Sequence, residues 1–70
     1  MNRDVQLASA ICNKTQEILV NLPLKTEDED KLQVMGDTMN FFITQRNWKR
    51  VLNEARRTHE YVLLLAAKIG

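Results

Sequence analysis

The sequence predicts an all-α protein, a small antiparallel three-helix bundle, on three observations. Apolar residues recur at spacings of three and four along nearly the whole chain, which is the helical period. The single proline, Pro23, falls where the first periodic segment ends. An acidic run, Glu27 to Asp30, opens the second segment, as suits the positive end of a helix dipole. Together these predict helices near 3–21, 26–44 and 47–69 in one domain, 1–70. Its expected core is Ile11, Ile18, Leu32, Met39, Leu52 and Val62.

The first helix follows from Leu7, Ala8, Ile11, Cys12, Thr15, Ile18, Leu19 and Leu22, with Asn2 or Asp4 as its cap. Asn21 can take a left-handed conformation at its end, and Pro23 pushes Leu22 out of helix. Thr26 and Glu29 then have the spacing of a capping box, in which each side chain binds the other's backbone N–H. The second helix buries Leu32, Met35, Gly36, Met39, Phe42 and Ile43. Gly36 on that stripe, where glycine costs about 1 kcal/mol against alanine, is expected to admit another helix closely, a kink being the alternative.

The junction Thr44-Gln45-Arg46-Asn47 has neither glycine nor proline, and a break there rests on Asn47 as N-cap. The alternative is a helical hairpin with one long helix. In that arrangement Val34, Phe41, Trp48, Ala55, Val62 and Ile69 would form a heptad seam. A helix from Thr26 to Ile69 would be about 65 Å long, so this version requires a dimer.

The third helix has two faces. Trp48, Val51, Leu52, Ala55, His59, Val62, Ala66 and Ile69 line the apolar one. Arg46, Lys49, Arg50, Asn53, Arg56, Arg57 and Glu60 line the other. Beyond Glu60 the division fails, because Tyr61, Leu63, Leu64 and Leu65 surround the helix with apolar groups.

Charge and length narrow the function. The net charge of +1 conceals an acidic middle, −3 over residues 23–45, and a basic end, +4 over residues 46–70. These can attract each other within one molecule or between two. Seventy residues bury only about 60% of the surface the unfolded chain exposes, so a partner or self-association is the expected source of extra burial. One cysteine and one histidine cannot supply a four-ligand zinc site. Cys12 reads as a small apolar filler on the first helix.

Met1 to Ala10 is polar and charged where a secretory signal would be apolar, and no apolar run approaches the ~20 residues of a membrane span. The expectation is a soluble, cytoplasmic protein without contact with membranes.

No phosphate loop, HExxH, CxxC or G-x-S-x-G motif is present. Ser9, the only serine, has no neighbouring base, and the acidic run lacks the spacing and glycine of a calcium loop. The expectation is no catalytic residue, no metal and no cofactor. His59, central on its apolar stripe, reads as a core-edge histidine with a hydrogen-bonded ring nitrogen.

Two surfaces remain as candidates. Val34 and Phe41 on the second helix, with Tyr61 and Leu64 on the third, are apolar on sides the core stripes do not use. They predict a non-enzymatic protein-interaction module of adaptor, chaperone-like or inhibitor type, acting as a homo-oligomer. The alternative is a nucleic-acid-binding regulator using Arg46, Lys49, Arg50, Asn53, Arg56 and Arg57 along phosphates. Near-neutral total charge, the interrupting acids Glu54 and Glu60, and the lack of a helix-turn-helix spacing favour the first reading.

Overall fold

A computed structural model describes residues 2–69, of which 85% are helical. Helix α1 spans Arg3–Leu19, α2 Thr26–Thr44 and α3 Trp48–Ile69. They form a small antiparallel three-helix bundle in which α1 and α2 both lie on α3. Thr15 meets His59, so α1 runs parallel to α3, and Asp28 meets Tyr61, so α2 runs antiparallel to both.

Asn2, not Asp4, caps α1, its Oδ1 accepting from the Asp4 N–H at 2.8 Å. The helix stops two residues before the expected end. Asn21 N–H turns to the Ile18 carbonyl and Leu22 N–H to the Leu19 carbonyl, the tighter i→i−3 pattern. Asn21 is therefore not left-handed, contrary to the sequence expectation; among the described non-glycine residues only Arg46 has positive φ.

The capping box at the start of α2 does not form. Glu29 donates its N–H to the Lys25 carbonyl at 3.0 Å, so Lys25 occupies the cap position and Thr26 is already helical. Glu27, Asp28 and Glu29 in the first turn supply the favourable charge at this end instead.

Between α2 and α3 the chain turns through a Schellman motif. Asn47 N–H donates to the Phe42 carbonyl and Arg46 N–H to the Ile43 carbonyl, while Arg46 takes φ 56°. Asn47 then caps α3, its Oδ1 accepting from Arg50 N–H at 3.3 Å. The continuous long helix is thus excluded. The break was hard to read because arginine stands where glycine is usual.

The core is centred on α3. Val51, Leu52 and Ala55 pack with Ala8, and Ile11, Cys12, Met39, Phe42 and Trp48 close around them. Val62 is fully enclosed and Leu65 is buried nearby. Of the six expected core residues, Leu52 and Val62 are buried, whereas Ile11, Ile18, Leu32 and Met39 are only half-buried. The reason lies in the layout: among the described residues α1 and α2 each pack on α3, while their own backbones stay apart and touch through the Cys12 and Met39 side chains. A cleft of about 270 Å³ therefore remains between them, walled by Val5, Cys12, Met39 and Ile43 with Val51 behind. Gly36 opens onto the same side of α2, and no atom lies within 4 Å of where its Cβ would be. The close helix approach expected at Gly36 is absent.

Candidate interaction surface

Val34 and Phe41 stand seven residues apart on the outer side of α2, 63% and 57% exposed. Two turns of helix carry both to the same side, away from the Leu32–Met39 edge that meets α1 and α3. Leu64, 67% exposed, stands on the outer side of α3. The sequence reading grouped Tyr61 with these three, but the structure places it in the seam between α2 and α3, half-buried. Its hydroxyl donates to Asp28 Oδ1 at 3.3 Å, a long hydrogen bond, and Lys31 Nζ sits 5.7 Å above its ring. Partial burial, then the Asp28 carboxylate, raises the Tyr61 phenol above its ordinary pKa.

Val34 and Tyr61 are brought together as walls of one shallow depression, floored by Met35, Thr38 and Glu54. Phe41 lies farther along the same stripe of α2, its ring tilted against Phe42 at 5.8 Å. Arg50 covers the Phe42 ring at 5.5 Å and so joins the start of α3 to the end of α2.

Arg46, Lys49, Arg50, Asn53, Arg56 and Arg57 are all exposed. Glu54 does not interrupt them, contrary to expectation. It is 7% exposed, turned under α2, with Arg57 Nη1 at 3.9 Å. Positions 51, 54, 58, 61 and 65 follow the helical period, so Glu54 falls on the inward side of α3. Spacing carried that signal; its charge concealed it.

Among the described residues Arg57–Glu54 is the one ion pair. Because α2 runs against α3, the acidic start of α2 lies at one end of the 36 Å molecule and the basic start of α3 at the other. Lys49 and Arg50 sit in the first turn of α3, where the helix dipole disfavours cations. The acidic start of α2 and the basic start of α3 are thereby held apart.

His59 and Cys12 are engaged within the fold. Thr15, 5% exposed, donates its hydroxyl to the Ile11 carbonyl at 2.8 Å and lies 2.9 Å from His59 Nδ1. Cys12 packs its sulfur 3.8 Å from Met39 Sδ, and burial raises its thiol pKa. No group of His, Cys, Asp and Glu among the described residues could hold a metal ion, and no described helix is long and apolar enough to cross a membrane.

The fold and surface define a small all-α three-helix bundle with an apolar outer face flanked by separated charge. Compared with known proteins, the chain matches no family model, no curated protein and no solved structure.

Proposed function

We propose that this protein is a non-enzymatic interaction module, of adaptor, chaperone-like or inhibitor type, that docks another protein surface through the outer face of α2 and α3. The observation that carries the reading is the exposure of Val34, Phe41 and Leu64 in a chain too short to waste apolar surface. Burying one such side chain contributes about 1.5–3 kcal/mol, so two or three dominate the energetics of a small contact.

The absence of catalysis is part of the same reading. Thr15 and His59 resemble a hydroxyl–imidazole pair, but Thr15 is buried, where no substrate reaches its hydroxyl, and the Ile11 carbonyl at 2.8 Å competes for its proton.

A photo-reactive residue placed at position 41 or 64, with position 17 as control, tests the reading in extract of the cells that make the protein. Protein adducts at 41 and 64 but not at 17 are expected. The inward turn of Glu54 favours a second reading, nucleic-acid binding along an uninterrupted basic face from Arg46 to Arg57. In that case duplex DNA binds with a log–log salt slope of about −0.9 per phosphate neutralised. Arg50→Glu and Arg57→Glu would then flatten it. Salt-sensitive DNA binding with no protein adduct at 41 or 64 overturns the interaction module.

A further inference from the structure

We propose that the occupant of the α2 part of this face, Val34 and Phe41, is a second copy of the chain, laid antiparallel across α2 about a two-fold axis. The inference rests on the docking face above and adds its partner and orientation.

Val34 and Phe41 stand two turns apart on the outer side of α2, and half-buried Thr38 lies between them at the edge that faces α3. An isologous contact repeats every pair twice. With the axis crossing α2 near Thr38, Val34 of each copy meets Phe41 of the other.

The charges select the antiparallel arrangement. Glu27 and Asp30 flank the stripe at the start of α2, and Arg46 follows its far end. None of the three has an ion-pair partner among the described residues. Parallel packing would place Asp30 beside Asp30 and Arg46 beside Arg46. Antiparallel packing brings each acidic end to the other copy's basic end, at both ends of the contact.

Charge reversal tests the proposal, because Asp30 and Arg46 of one chain are more than about 20 Å apart along α2 at 1.5 Å per residue. That is well beyond the ~8 Å screening length at physiological salt, so any coupling between them must cross the interface. Sedimentation equilibrium at physiological salt would compare wild type, Asp30→Lys, Arg46→Glu and the double variant, with circular dichroism melts confirming that each folds. Each single reversal turns two attractions into repulsions and is expected to weaken dimerisation about tenfold, the double returning to within about threefold of wild type.

A double variant as weak as the product of the singles overturns the antiparallel arrangement. A wild type that stays monomeric to hundreds of micromolar overturns the second copy as occupant. Neither result touches the adducts at positions 41 and 64, which decide whether the face docks protein at all.

Discussion

The Thr15 hydroxyl of α1 stands 2.9 Å from Nδ1 of His59 on α3, a polar link between residues 44 apart in sequence at the edge of the core. The hydroxyl has one proton, and the Ile11 carbonyl stands 2.8 Å away to take it. A proton directed there leaves Thr15 Oγ1 to accept from the ring, so the expected His59 tautomer carries hydrogen on Nδ1. Thr15→Val keeps the shape and leaves that N–H without its partner, which costs about 1–3 kcal/mol. A melting temperature lower by roughly 4–8 °C per kcal/mol is expected, with a much smaller effect in a His59→Phe background. Nitrogen NMR of the ring should show the proton on Nδ1; a proton on Nε2 alone would refute the assignment.

Tyr61 is the only tyrosine, so phenolate absorbance in a pH titration reports this side chain alone. Partial burial and the neighbouring Asp28 and Glu27 raise its pKa above 10.0 in the folded protein. The folded state then keeps a proton that the unfolded chain has released. The associated stability is whole below pH 10 and is lost as pH rises through the folded pKa. Asp28→Asn should bring the titration toward the ordinary value while leaving the ring in the seam. A midpoint unmoved by that change would show that Asp28 does not face the phenol in solution.

Periodicity carried the three helices and the exposure of Val34, Phe41 and Leu64, because burial on a helix is set by phase. It did not carry contacts that depend on how helices lie on one another. Tyr61 was grouped with Leu64 because both are apolar beyond Glu60, yet the α2 seam covers one and leaves the other open. The charge of Glu54 suggests a surface acid, whereas its phase places it inward. The half-exposed Ile11, Ile18, Leu32 and Met39 reflect the cleft between α1 and α2, a feature of tertiary geometry with no local signature. The capping box failed because Lys25 supplied its carbonyl one residue before Thr26, a shift that residue types at that spacing do not specify.

Gly36 tests the separation of α1 and α2 farther along, where it lines a second depression with Gln16, Leu19 and Leu32. No atom lies within 4 Å of the position a Cβ would take, and the residue lies within α2 with no positive φ. Alanine therefore meets no obstacle and removes the backbone freedom that glycine loses on folding. Gly36→Ala should stabilise the protein by about 1 kcal/mol in thermal or urea unfolding. Destabilisation instead would mean that another surface approaches position 36 in solution, filling that depression.

Arg46 holds the turn between α2 and α3 at a cost. Its φ of 56° is a left-handed conformation that crowds Cβ against the following carbonyl, about 1–2 kcal/mol for an ordinary residue. The two Schellman hydrogen bonds, from Asn47 to Phe42 and from Arg46 to Ile43, keep it there. Arg46→Gly removes the clash and returns part of the gain as extra freedom in the unfolded chain, for a net stabilisation of about 0.5–1 kcal/mol. Arg46→Val, branched at Cβ, should destabilise by more than that.

If the arginine is kept for its charge, Arg46→Gly should separate two readouts. The melting temperature rises while dimerisation, or DNA binding under the second reading, weakens. A variant that melts higher and associates as tightly as wild type would show that the charge at position 46 contributes to neither contact. One that melts lower would show that the chain does not turn through a left-handed residue here.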